Sequence, residues 1–126
     1  MISLHHINIK APATILLEVR DFYCSILGLE QGLRPAFKSE GYWLYSGELA
    51  LIHLTIAEHR PSHTSASTLD HIAYTCHDFS ATCTRLDALG LRYECNAVPE
   101  GSCENIVRQI FLSDPAGNGV ELIFPI

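Results

Sequence analysis

Two βαβββ modules in series describe this chain: an α+β protein whose strands form a curved mixed sheet with both helices on its outer face. Three observations predict that arrangement. The segment Leu4-His5-His6-Ile7-Asn8-Ile9 recurs 65 positions later as Leu69-Asp70-His71-Ile72-Ala73-Tyr74. A helix-like stretch follows each copy and ends in the same tripeptide, Leu27-Gly28-Leu29 and then Leu89-Gly90-Leu91. Each half closes on an apolar strand with one polar residue inside it, His53 in Leu51-Ile52-His53-Leu54 and Glu121 in Val120-Glu121-Leu122-Ile123. Self-similarity at a fixed spacing is the mark of a duplicated unit.

The elements follow in order. Residues 4–10 alternate, with Ile7 and Ile9 on one face and His6, Asn8 and Lys10 on the other, as a half-buried strand requires. Pro12 ends it. Ile15, Leu16, Val19, Phe22, Tyr23 and Ile26 fall at helical spacing, and Gly28 is a helix stop. Gly32 and Pro35 bound a short strand, and Tyr42–Tyr45 and Leu49–Ile56 form two more around a turn at Ser46-Gly47-Glu48. Residues 57–67 are polar and carry Pro61, which makes them a linker.

The second half predicts a strand at 69–76 and a helix from Asp78 or Ser80, either of which can cap it, to Leu89. Strands at 91–97, 106–113 and 119–124 follow, with a loop at 98–105 that resembles a covering loop as much as an ordinary connector. Asp114-Pro115-Ala116-Gly117-Asn118 has the composition of a tight turn. The whole chain, 1–126, reads as one domain: module one at about 1–57, linker at about 58–67 and module two at about 68–126.

Composition narrows the function. A hydrophobic fraction of 48% over 126 residues supports a packed core. The net charge is −6 and basic residues never cluster, so the footprint that nucleic acid demands is missing, and an acidic membrane surface would repel the chain. No apolar run approaches the roughly 20 residues of a bilayer span. The five cysteines (Cys24, Cys76, Cys83, Cys95, Cys103) are scattered, without a CxxC pair. Together with an opening segment that lacks a secretory pattern, they suggest reduced thiols and a cytoplasmic location.

The repeat places ligand-type side chains at matching points: His6, His53, His71 and Glu121. In each of the four strands the aliphatic face (Ile7/Ile9, Ile52/Leu54, Ile72/Tyr74, Val120/Leu122) is offset from them by one residue, so all four should point away from the helices. Three imidazoles and a carboxylate suit one divalent ion of Zn, Ni, Fe, Mn or Co and disfavour Ca or Mg. A carboxylate embedded in Val-Glu-Leu-Ile-Phe costs several kcal/mol to bury unpaired, so Glu121 needs a cation or a partner. The other histidines fit surface roles. Alternation turns His5 away from His6, Pro61 forbids the helix that would align His59 with His63, and His77 stands at a strand-to-helix junction.

At these residues, together with Phe22-Tyr23-Cys24-Ser25-Ile26-Leu27-Gly28-Leu29 and Phe111-Leu112-Ser113-Asp114-Pro115-Ala116-Gly117-Asn118-Gly119-Val120-Glu121-Leu122, the chain resembles the vicinal oxygen chelate superfamily. That group takes in glyoxalase I, methylmalonyl-CoA epimerase, extradiol dioxygenases, fosfomycin-resistance proteins and bleomycin-binding proteins. The resemblance implies a metal-lined cup with the ion on His6, His53, His71 and Glu121, and chemistry on a small-molecule substrate with vicinal oxygens. It also implies a homodimer, in whose swapped form His6 and His53 of one chain meet His71 and Glu121 of the other.

Four ligand positions resemble the glyoxalase I and epimerase branches, although glyoxalase I usually has a carboxylate where His53 stands. Glu121 is then the catalytic carboxylate. Lys10-Ala11-Pro12 replaces an Arg-containing segment that binds glutathione in many glyoxalases. The fosfomycin type fits less well, since its basic C-terminal region has no counterpart before Phe124-Pro125-Ile126. The expected function is a lyase or isomerase acting on an oxo or hydroxy compound. The alternatives are an extradiol-type dioxygenase or a metal-free, antibiotic-type binding protein. Candidate substrate contacts are Asn8, the pair Trp43 and Tyr45 (which alternates with Tyr42 and Leu44), and Arg108 and Gln109, one of which should face inward.

Overall fold

The structure, a computed structural model, describes residues 1, 3–57, 69, 71–99 and 106–125. The chain divides into two compact units, Met1–Ala66 and Ser67–Ile126. The linker at 58–67, and most of the 98–105 loop including Cys103, lie outside the described residues.

The first unit runs β1 (Ile7–Ala11), α1 (Ala13–Leu27), β2 (Glu30–Gly32), β3 (Gly41–Ser46) and β4 (Leu49–Ile56). Its sheet has the order β1-β4-β3-β2, with β1 parallel to β4 and the other pairs antiparallel. Leu16, Val19, Phe22, Tyr23 and Ile26 of α1 are buried, and α1 packs on β1, β3 and β4, where Leu44, Ile52 and Leu54 are fully covered. Gly28 closes α1 at φ 67, a left-handed conformation that glycine adopts without strain, and Gly90 repeats it at φ 68 after the second helix. The repeated Leu-Gly-Leu is therefore a repeated helix stop.

The second unit runs β5 (His71–Thr75), α2 (Phe79–Ala88), β6 (Glu94–Pro99), β7 (Ile106–Ser113) and β8 (Gly119–Phe124), in sheet order β5-β8-β7-β6. β5 lies parallel to β8, as β1 does to β4. Asp78, rather than Ser80, caps α2, its carboxylate accepting from the Ala81 N–H at 2.9 Å. Phe79 meets Phe124 edge-to-face at 5.3 Å, which marks the helix side of this sheet. The β7–β8 hairpin turns on buried Asp114. Its Oδ1 accepts from the Ala116 and Asn118 N–H groups and its Oδ2 from the Asn118 amide, each at 2.9 Å.

Several boundaries differ from expectation: β5 is shorter, at His71–Thr75 rather than 69–76, and β6 runs on to Pro99. β1 starts at Ile7, so Leu4-His5-His6 precede the strand and escape its alternation. β2 covers Glu30–Gly32 rather than following Gly32. Gly32 pairs with Trp43 and lies under the Tyr45 ring, which a Cβ would meet at 2.8 Å. β6 starts at Glu94 rather than at 91, because the Leu91 N–H donates to the Leu86 carbonyl and finishes the helix cap.

Candidate metal centre

In the first unit, His53 is opposite Asn8 on β1 and opposite Trp43 on β3, so the three side chains share a face. Arg20 of α1 sits 5.2 Å over the Tyr42 ring, and Leu44 is fully buried; Tyr42 and Leu44 therefore take the helix side and leave the other side to Trp43. On that side three rings stack. His53 lies between Trp43 (centroids 4.0 Å apart, 13° between planes) and His6 (3.9 Å, 10°). Asn8 donates through Nδ2 to Thr55 Oγ1 at 3.1 Å, and Tyr45 donates its hydroxyl to the Leu33 carbonyl.

The hydrogen bonds of these rings bear on which nitrogens can ligate. The Ala50 carbonyl only accepts, so the 3.1 Å contact makes His53 Nε2 the donor and leaves the Nδ1 lone pair for a ligand. Burial, and secondarily the nearby His6, holds His53 below the usual imidazole range, against the opposing effect of the Ala50 bond. It is a neutral imidazole near pH 7, the form a metal requires. His5 does not turn away from His6. Their Nδ1 atoms are 2.8 Å apart and share one proton, which orients His6; with that proton on His6 Nδ1, its Nε2 is the ligating atom. The adjacency of the two histidines was the available signal for this contact; strand alternation concealed it because both precede β1.

In the second unit, Phe111 is opposite Glu121, and Gln109 lies diagonally from it on the same face, away from α2. Glu121 is 5% exposed, between Val120 and Leu122. Its Oε2 stands 2.9 Å from His71 Nε2, and its Oε1 accepts from Gln109 Nε2 at 2.6 Å. The His71 ring meets Phe111 edge-to-face at 5.7 Å. Arg108 takes the other face, its guanidinium 4.8 Å over the Phe79 ring of α2. Of the two, Gln109 is the one beside Glu121, and Arg108 is directed away from it.

Each unit thus supplies a pair of ligand-type side chains. Among the described residues, neither unit by itself gathers three or more His, Cys, Asp or Glu in metal-holding geometry. The pairs fit a divalent ion on their chemistry. The 2.9 Å between His71 Nε2 and Glu121 Oε2 is close to the ~3 Å separating neighbouring octahedral ligands each about 2.1 Å from one ion. His6 and His53 add two imidazole donors, and in His53 the Ala50 bond leaves the Nδ1 lone pair for the ion. No described helix is long and apolar enough to cross a membrane.

Solved structures share this fold. A glyoxalase family protein from Bacillus anthracis superposes with a TM-score of 0.68 at 22% identity, over 100% of this chain and 97% of that one. A point mutant of the fosfomycin resistance protein FosX from Listeria monocytogenes, solved with Mn(II) and 1S,2S-dihydroxypropylphosphonic acid, superposes at 0.66 with 21% identity, over 97% and 92% of the two chains. TnmS3, an antibiotic binding protein from Streptomyces sp. CB03234, superposes at 0.62 with 21% identity, over 100% and 99%. At these identities the likeness speaks for the fold alone. Comparison with curated proteins returned no match. A family model matches residues 3–122, nearly the full length, and on that match the chain belongs to the Glyoxalase/Bleomycin resistance protein/Dioxygenase superfamily.

Proposed function

We propose that this protein is a glyoxalase-like metalloenzyme, a lyase or isomerase acting on a small oxo or hydroxy compound, with one divalent ion held by His6, His53, His71 and Glu121. The observation that carries this reading is the buried Glu121 carboxylate engaged at 2.9 Å with His71, at the repeat position matching His53 in the other unit. Bound there, Zn, Ni, Fe, Mn or Co would supply a Lewis acid for two vicinal substrate oxygens.

The chain's own residues do the rest. Glu121, or a water it holds, would take a proton from a substrate carbon and return it. Trp43 offers an apolar wall beside the imidazoles, and Asn8 a polar group on the same face. The Mn(II) complex of FosX supports a metal role for this fold. The active form is a homodimer in which the two pairs of ligands meet, within one chain or between two.

Tag-free protein should take up one ion per chain from Zn, Ni, Fe, Mn or Co salts, and only the metal-loaded form should bind acetohydroxamate, a chelator with two adjacent oxygens. Protein that stays metal-free by elemental analysis would defeat the proposal. A specific observation favours a second reading, a metal-free binding module: the Trp43–His53–His6 stack is an aromatic surface in its own right. That reading expects tight binding of a planar aromatic ligand with no metal present.

A further inference from the structure

We propose that Gln109 is a positioning residue for Glu121 rather than a substrate contact, and that it restricts Glu121 to one ligating oxygen, Oε2. The inference rests on the metal reading above and deepens it. An ionised carboxylate only accepts hydrogen bonds, so the amide must present its NH2 group to Oε1. The 2.6 Å distance makes this a close contact, just under the ~2.7–2.9 Å usual for a charge-assisted N–H···O bond, and burial of Glu121 strengthens it. With Oε1 held by Gln109 and Oε2 facing His71, both oxygens have assigned partners. The roles divide by exposure. The His71 side chain is 36% exposed and can exchange a shared proton for an ion, whereas Glu121 is covered on the Gln109 side.

The register explains the choice of residue. Gln109 pairs with Ile123 and Phe111 pairs with Glu121, so Gln109 approaches Glu121 along the sheet diagonal, a separation only a long side chain spans. Asparagine carries the same amide on a shorter arm and should fall short. Outer partners of metal ligands are worth 10–100-fold in affinity, so this bond should be measurable.

The test is Co(II) titration of metal-free wild type, Gln109→Leu and Gln109→Asn, followed by visible absorption, with thermal melts of the metal-free proteins alongside. The proposal expects both variants to bind Co(II) about 10–100-fold more weakly. It also expects an altered Co(II) spectrum as the freed Oε1 joins the ion, with melts close to wild type. Wild-type affinity and spectrum in either variant would overturn the role of Gln109 while leaving the metal reading intact. Lowered melts with an unchanged spectrum would reduce Gln109 to a structural residue and overturn it too. A wild type that binds no Co(II), Mn(II), Ni(II) or Zn(II) would overturn the metal reading, and this inference with it.

Discussion

The two units share one topology and differ in how they steady the polar residue of the central strand. In the first, His53 is neutral, clamped between the flat faces of Trp43 and His6, and tied to its own strand through Ala50. In the second, Glu121 is a carboxylate held by a partner at each oxygen, Gln109 and His71. The difference follows from desolvation. A neutral imidazole can be buried by stacking with one hydrogen bond satisfied, whereas a carboxylate buried without partners costs several kcal/mol. The repeat position is the same in both units, and each surrounds its residue with the environment that residue requires.

That contrast can be broken experimentally, from the largest effect downward. Leu54 and Leu122 follow the two polar residues and are both 0% exposed, so Leu54→Ala and Leu122→Ala should each cost about 2–5 kcal/mol in chemical denaturation. A cost under 1 kcal/mol in one would show that the two cores are not equivalent. Glu121→Ala should weaken ion binding more than about 100-fold, beyond the range of outer partners, while His53→Ala, which removes a neutral donor, should weaken it less. Equal losses measured by competition with a chelating dye would erase the distinction between anionic and neutral ligands. Asp114→Ala, which frees three donors in the turn leading to Glu121, should cost about 1.5–3 kcal/mol in thermal unfolding. Trp43→Leu should cost about 0.5–1.5 kcal/mol beyond the lost area, and should do so without metal, because the stack needs none.

The smallest effect is a pH dependence. His53 binds its proton more weakly folded than unfolded, so between its depressed pKa and the usual 6.5 the unfolded chain holds the extra proton. Metal-free protein should therefore lose stability as pH falls through that window and be unaffected above it. His53→Gln should flatten the slope, as read from urea midpoints between pH 5 and 7.5; an unaltered slope would assign it to other groups.

Much of this was legible in the residues. The strand order β-α-β-β-β in each half, the burial of α1 through Leu16, Val19, Phe22, Tyr23 and Ile26, and the paired Gly stops follow from periodicity and from glycine's access to positive φ. The opposite faces of Ile72 and His71, or of Leu122 and Glu121, follow from strand alternation. Alternation failed where no strand exists, at His5 and His6. It also could not choose between Trp43 and Tyr42, or between Gln109 and Arg108, because both members of each pair are amphipathic. What decided them is which aliphatic neighbours are buried: Leu44 carries Tyr42 to the helix side, and Ile110 and Leu112 carry Arg108, where Arg20 and Phe79 then meet them. Such long-range partners have no local signal.

The most direct test of a shared ion is Co(II) titration of metal-free, tag-free wild type beside His6→Ala and Glu121→Ala, one ligand removed from each unit. The account predicts one ion per chain in the wild type, and a large loss of affinity with a changed absorption spectrum in both variants. Wild-type binding in either one would mean that the two units do not share a metal.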